Sequence, residues 1–388
     1  MTPGGASVRP AYGQESLSDV LPSVLAALGV PDAPDRLGLS TGVLAGVRSV
    51  AVLLLDGFGH DSLPLALPHA PTLRAILNGS MANASSRPLT TGFPSTTPTS
   101  LTSLGTGTAP GSHGLLGFFL NVPGTNRVLN HLHWRDDPDP MRWQPLTTQF
   151  AIAEAAGIKA RVVTKPDYRG SGLSTAAFRG GTHVNASTLG SLREGIIEEL
   201  AKGRGLVYGY HPDIDSEGHI FGVGSPEWID AVSDVDRMLT RLVDKLPRNT
   251  ALVITADHGQ INVPWQRRFD LDVDLRLREG VRVVAGESRV RYLHTLAGAQ
   301  DDVIATWRGV LGDAAWVVSR DEAIAEGWFG PVAEEHLQRI GDVVAACHED
   351  YVVLATSTDP PAVARMIAFH GSATEAEMRI PLIVVRRA

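Results

Sequence analysis

Several short stretches of this chain are apolar almost without interruption: Val47–Leu55, Ala160–Thr164, Gly205–Tyr210, Thr250–Thr255, Tyr351–Ala355 and Ile380–Val385. Uninterrupted runs of this length fit strands covered on both faces, the signature of a parallel sheet. Between them the apolar spacing lengthens to a helical period, in a weak form over Leu17–Leu28 and more clearly over Ser187–Ala201 and Pro226–Leu246. Phe150–Ala156 is a further helix, stopped by Gly157. Strand and helix therefore alternate, and the expected fold is α/β, a doubly wound, mostly parallel sheet.

The pattern changes from Asn262 to His348. Charged and apolar residues alternate over Val281–Val284 and Arg289–Leu293, followed by helical pieces around Asp301–Leu311 and Asp321–Glu326. This predicts an inserted α+β cap at 262–348 beside a catalytic core made of 1–261 and 349–388.

Composition narrows the function classes. A chain of 388 residues, 43% hydrophobic, can bury a large core as one enlarged domain with an insertion. A formal charge of −8 leaves no basic footprint for a nucleic-acid polymer. The lone cysteine, Cys347, rules out an internal disulfide framework and reads as a small buried apolar residue. No apolar run is long enough to span a bilayer, and Met1–Pro10 lacks a basic segment followed by an apolar one, so no membrane partner and a cytoplasmic location are expected.

Chemistry collects where strands end. Asp56-Gly follows the first apolar run, the place where open α/β sheets put their ligand sites. After Tyr210 come Asp215 and His219, four apart, a spacing that brings both onto one metal if the backbone curls helically; His211 and Asp213 compete for the role. Asp257-His258-Gly follows the Thr250–Thr255 run, and a late loop holds His370. Asp56, Asp215, His219, Asp257, His258 and His370 together supply the mixed carboxylate and imidazole ligands that two divalent ions require. Zinc fits the histidine content best, with Mn²⁺ or Fe as alternatives. Arg169 and Ser171, in the loop after Thr164, read as solvated.

A helix is predicted to begin at Thr97, its N-cap, with Pro98 in the first turn and Gly105 and Gly107 closing it. A hydroxyl at the positive end of a helix beside two metals suits attack on a phosphoryl group, giving a phospho-threonine intermediate that water hydrolyses.

These motifs resemble the alkaline phosphatase superfamily, in the branch of nucleotide pyrophosphatases/phosphodiesterases and phosphonoacetate hydrolases. Pro94-Ser-Thr-Thr97, with Thr106-Gly107 and His113-Gly114 downstream, is similar to the family's nucleophile segment. The resemblance implies Thr97 as nucleophile, with adjacent Thr96 as its rival. It implies Asp56, Asp257 and His258 as ligands of the metal that activates the nucleophile, and Asp215, His219 and His370 as ligands of the other. His113 is then structural. An Asn of nucleotide pyrophosphatases that donates to a phosphate oxygen falls, by ungapped counting, on Phe118, with Asn121 nearby and out of register. The expected activity is a phosphodiesterase or nucleotide pyrophosphatase acting on a small phosphate ester, nucleotides included. Phosphomonoesterase, phosphonate hydrolase and phosphomutase are the alternatives on the same site, and a degenerate metal-binding protein is the non-enzymatic one.

Overall fold

The computed structural model describes residues 7–81 and 83–387. Eleven strands carry the argument. In chain order the first six are β1 (Ser49–Leu55), β2 (Ala84–Thr90), β3 (Lys159–Thr164), β4 (Thr182–Asn185), β5 (Gly205–His211) and β6 (Thr250–Thr255). Then follow β7 (Val281–Glu287), β8 (Val290–Thr295), β9 (Ala315–Ser319), β10 (Val343–Cys347) and β11 (Arg379–Arg387). The helices that matter most are α1 (Thr97–Thr106), α2 (Leu189–Ala201), α3 (Asp213–Phe221), α4 (Pro226–Asp244) and α5 (Gln300–Leu311).

A seven-stranded sheet runs β2-β11-β6-β1-β5-β3-β4. It is parallel from β6 to β4, whereas β11 lies antiparallel to both of its neighbours. Every residue of β1 and β6 is buried, as their unbroken apolar runs require. α2 turns Leu192, Ile196 and Leu200 inward at a four-residue spacing, and α4 turns Trp228, Val232, Val235, Leu239 and Leu242 inward at alternating four- and three-residue spacings. This is an α/β fold with a central, mostly parallel sheet. No helix among the described residues is long and apolar enough to cross a membrane.

The second sheet is four-stranded and antiparallel, in the order β7-β8-β10-β9. α5 covers it with Val303, Trp307 and Leu311, which share a separate apolar cluster with Leu293, Val317, Val343 and Cys347. The run at Tyr351–Ala355 does form a buried strand, Val352–Leu354, but it pairs in parallel with Arg268–Asp270 and not with the main sheet. An apolar run specifies burial and leaves the partner open; the place beside β6 is taken by β11.

One buried ion pair ties the two sheets. Arg289, in the turn between β7 and β8, gives Nε and Nη2 to Glu377 at 2.9 and 2.6 Å, and both side chains are fully buried. Glu377 also accepts from the Ser372 amide at 2.9 Å. Removing one partner strands the other charge without solvent. Glu377→Ala is expected to lower unfolding stability by about 3–5 kcal/mol, whereas Arg289→Met with Glu377→Leu loses less than either single change. Urea unfolding of Glu377→Ala, Arg289→Met, Glu377→Leu and the double variant checks this, and a double-variant loss equal to the single ones would contradict it.

Candidate metal and nucleophile site

β1 sits in register between β5 and β6, with Leu55 opposite His211 and Leu54 opposite Thr255, so three strand ends open on the same edge of the sheet. Asp56 follows β1 directly, and Asp257 and His258 lie just past β6. β5 passes through Pro212 straight into α3, and the helix sets Asp215 and His219 one turn apart. The two strand-end loops lie against each other with no side chain between them. A Cβ on Gly59 would sit 2.5 Å from the Gly259 Cα, and one on Gly259 would sit 2.0 Å from the Ala376 carbonyl oxygen. Gly57, at φ +67°, adopts the left-handed turn that carries the chain away from Asp56.

The six side chains fall into two groups. Asp56, Asp257 and His258 form one, and Asp215, His219 and His370 the other; within each group the potential ligand atoms lie within 4.8 Å of one another. His258 and His370 stack face to face across the two groups, their ring centroids 3.7 Å apart.

Hydrogen bonding fixes which lone pairs are free. His219, His258 and His370 each point Nδ1 at a backbone carbonyl, of Ala368 at 2.8 Å, Gly259 at 3.2 Å and Ser95 at 3.0 Å. A carbonyl only accepts, so the proton sits on Nδ1 and all three Nε2 atoms present lone pairs. The Asp257 Oδ1 accepts from the amides of Gly57 at 3.1 Å and His258 at 3.0 Å, and the Asp56 Oδ2 accepts from the Tyr210 hydroxyl. The other oxygens, Asp56 Oδ1 and Asp257 Oδ2, are buried without a partner. They lie 3.5 and 3.6 Å from the His258 Nε2.

Electrostatics points the same way. Burial pushes the Asp56 carboxyl well above its usual range, and Asp257 and Asp215 push it further. Burial also raises Asp215 and Asp257 and lowers His258 and His370. By itself the site favours uncharged groups, although its hydrogen bonds are arranged for anionic carboxylates and neutral imidazoles. Divalent cations resolve that conflict, so the donor set fits them.

Thr97 and Thr96 separate cleanly. The Thr97 Oγ1 lies 3.2 Å from the His258 Nε2, at the first group. The Thr96 hydroxyl donates instead to the Glu287 Oε2 at 2.7 Å. The cap expected at Thr97 is one residue off. Thr96, in extended backbone, is the N-cap; Thr97 is the first helical residue, and its hydroxyl is free for the site because it carries no capping duty. Gly105, expected to close the helix, lies inside it, where a Cβ would sit 1.9 Å from the Ala177 carbonyl oxygen; Gly107 makes the left-handed stop.

Other candidates lie elsewhere. His211 and Asp213 face each other at 3.4 Å and belong to neither group. Ser171 caps the helix Gly172–Phe178, while Arg169 is exposed. His113 spends its ring nitrogens on the Ser103 hydroxyl at 2.9 Å and the Leu115 amide at 3.1 Å. Asn121 sits in a hairpin of Phe119–Asn121 with Val128–Asn130, and its amide nitrogen, in the satisfied orientation, donates to the Thr125 and Arg127 carbonyls. Those bonds hold its own turn together and leave no donor for a phosphate. Phe118 packs on Phe119 at 4.8 Å between ring centroids.

Sequence reasoning missed three residues of the site. Tyr210 serves Asp56, Gln260 donates to the Asp215 Oδ1 at 2.5 Å, and Glu287 reaches in from β7. Gln260, next to the Asp257-His258-Gly259 motif, and Tyr210, at the end of a buried strand, were within reach of inspection; nothing local marks Glu287.

Strand-end carboxylates and imidazoles thus gather around a helix-borne hydroxyl at one edge of a mostly parallel sheet. Residues 50–373 match the family described as type I phosphodiesterase / nucleotide pyrophosphatase, and the chain belongs to it. An uncharacterized pyrophosphatase/phosphodiesterase of Schizosaccharomyces pombe is 26% identical over 237 residues, which cover 58% of this chain and 47% of that protein, so the chain spans about half the length of that relative. Among solved structures, murine ectonucleotide pyrophosphatase / phosphodiesterase 5 superposes with a TM-score of 0.68 at 22% identity, covering 86% of this chain and 87% of that one. An inactive form of the murine protein is known in complex with AMP. Phosphonoacetate hydrolase from Sinorhizobium meliloti 1021, in complex with phosphonoformate, gives a TM-score of 0.66 at 20% identity over 88% of this chain and 91% of that one. These structures share the fold.

Two neighbouring tyrosines test the assignment of polar partners. The Tyr210 hydroxyl serves Asp56, while the Tyr208 hydroxyl is buried without a partner. Tyr210→Phe is expected to cost about 1–3 kcal/mol of stability, and Tyr208→Phe to be neutral or stabilising. Urea unfolding of both variants measures the contrast, and a Tyr208→Phe loss equal to that of Tyr210→Phe would refute it.

Proposed function

We propose that the protein is a two-metal phosphodiesterase or nucleotide pyrophosphatase acting through Thr97. The observation that carries this reading is the Thr97 hydroxyl, 3.2 Å from the His258 Nε2, at the start of a helix and beside the Asp56–Asp257–His258 group. Asp56, Asp257 and His258 would hold one ion, and Asp215, His219 and His370 the other. Divalent ions, zinc by the histidine content or Mn²⁺ or Fe in its place, lower the pKa of a bound hydroxyl and neutralise charge on a leaving oxygen.

The chain's own groups do the rest. α1 presents its N-terminal amides and dipole to the non-bridging phosphoryl oxygens. The Thr97 hydroxyl gives up its proton to solvent and its Oγ bonds to phosphorus as the ester P–O bond opposite it breaks, the leaving oxygen taking a proton from water, which leaves phospho-threonine. Water then displaces the Thr97 oxygen in line, so two inversions give net retention at phosphorus. The nucleotide reading draws on the family description and on the AMP complex of the murine relative. Phosphonate hydrolysis is the second reading, favoured by the likeness to phosphonoacetate hydrolase.

The purified protein, supplied with Zn²⁺ or Mn²⁺, is expected to hydrolyse bis-p-nitrophenyl phosphate faster than p-nitrophenyl phosphate and to bind two metal equivalents. Thr97→Ala should lower kcat/KM by more than about a thousandfold, as loss of a covalent nucleophile does. Asp257→Ala should bring the metal content towards one equivalent. Mass spectrometry of acid-quenched enzyme should find the phosphoryl group on Thr97. Undiminished turnover by Thr97→Ala would sink this assignment, and faster monoester turnover would move the protein to the phosphatases.

A further inference from the structure

Thr96 occupies the N-cap of α1 in the extended conformation of a capping residue, yet its side chain makes no capping hydrogen bond. A threonine there ordinarily accepts from an amide of the first turn. Here the hydroxyl donates to the Glu287 Oε2 at 2.7 Å, across 191 residues of sequence. Glu287 is the last residue of β7, in the second sheet, and it is 9% exposed. Its other oxygen, Oε1, is buried without a partner. Beneath it lies Gly371, where an added Cβ would sit 3.0 Å from Cγ and Oε1 of Glu287. The preceding residue, Ser95, is pinned to the same loop: its hydroxyl donates to the Ser372 carbonyl at 2.6 Å, and its amide donates to the Gly371 carbonyl at 3.2 Å.

We propose that Glu287 is a positioning residue for the nucleophile. By taking the Thr96 hydroxyl it withdraws that group from the helix cap and locks the extended backbone from which Thr97 enters the helix. Two consequences follow. The first-turn amides of α1 stay uncapped for phosphoryl oxygens, and the Thr97 hydroxyl is held against the Asp56–Asp257–His258 group. The second sheet thereby takes part in the chemistry of the first through one carboxyl group, while the Arg289–Glu377 pair two residues further on holds the β7–β8 turn in place. This inference rests on the reading of Thr97 as nucleophile.

The test compares Glu287→Ala, Glu287→Gln, Thr96→Val and the Glu287→Ala/Thr96→Val pair in hydrolysis of bis-p-nitrophenyl phosphate, with metal content and thermal unfolding measured on each. Glu287→Ala and Thr96→Val are expected to lower kcat by about 10- to 100-fold with KM little changed and two metals retained, the loss that misplacing a reacting atom brings. The double variant should fall no further than either single one, and Glu287→Gln, which keeps an acceptor for Thr96, should recover most of the rate. Thr96→Val is isosteric and leaves Glu287 in place, so it carries the test should Glu287→Ala fail to fold. Wild-type kcat in metal-loaded Thr96→Val, or losses that multiply in the double variant, would overturn the proposal. A loss in Thr96→Val as complete as in Thr97→Ala, with the phosphoryl group trapped on Thr96, would overturn it too. Failure of the Thr97 reading itself shows separately, as full turnover by Thr97→Ala.

Discussion

Three carboxylates, Asp56, Asp215 and Asp257, are brought together, two of them buried and Asp215 nearly so, and the site is built around the cost of charging them there. Burial penalises each as an anion, and at Asp56 the neighbouring Asp257 and Asp215 add to the penalty. Among the described residues no lysine or arginine pairs with any of the three. It saturates one oxygen of Asp56 and one of Asp257 with donors and leaves the other bare, and it turns three imidazole lone pairs towards the same space. Such a site stores a demand for positive charge, which the two divalent ions of the proposed function would meet and one side-chain ammonium would not.

Holding the groups there depends on backbone more than on side chains. β1 is flanked in parallel register by β5 and β6, so residues far apart in the chain leave the sheet at the same edge. The glycines after the strands let the loops meet at a separation no Cβ tolerates. The imidazole orientations come from main-chain carbonyls, which rotate less freely than side chains would and so preorganise the ligands. The second sheet is fastened to this frame by Arg289 and Glu377, and through Glu287 it touches the segment that carries the hydroxyl.

Much of this was legible in the chain. The apolar runs of β1, β5, β6 and β11 mark the sheet because burial on both faces leaves no alternation to misread. The acids and histidines after those runs stand out because a buried strand end has no other need for them. The helix does begin at Thr97, but its cap was misplaced by one residue because Thr96 and Thr97 both suit that position; only the backbone angles at Thr96 separate them. Asn121 misled for a related reason: its type suits a phosphate contact, and nothing in sequence shows that its amide is consumed by its own hairpin.

What the sequence determined by itself was local: which segments are buried, where chains of apolar residues stop, and which chemically able residues stand at those stops. Hydrophobic period and strand-end composition act over a few residues and can be read there. Tertiary structure alone decided the pairing of Val352–Leu354 with Arg268–Asp270, the allotment of Tyr210 and Gln260 to particular carboxylates, and the reach of Glu287 to Thr96. Those contacts join segments tens to hundreds of residues apart. Their partners are chosen by the register of the sheet and by how the second sheet docks on it, and neither leaves a trace in the residues around Glu287.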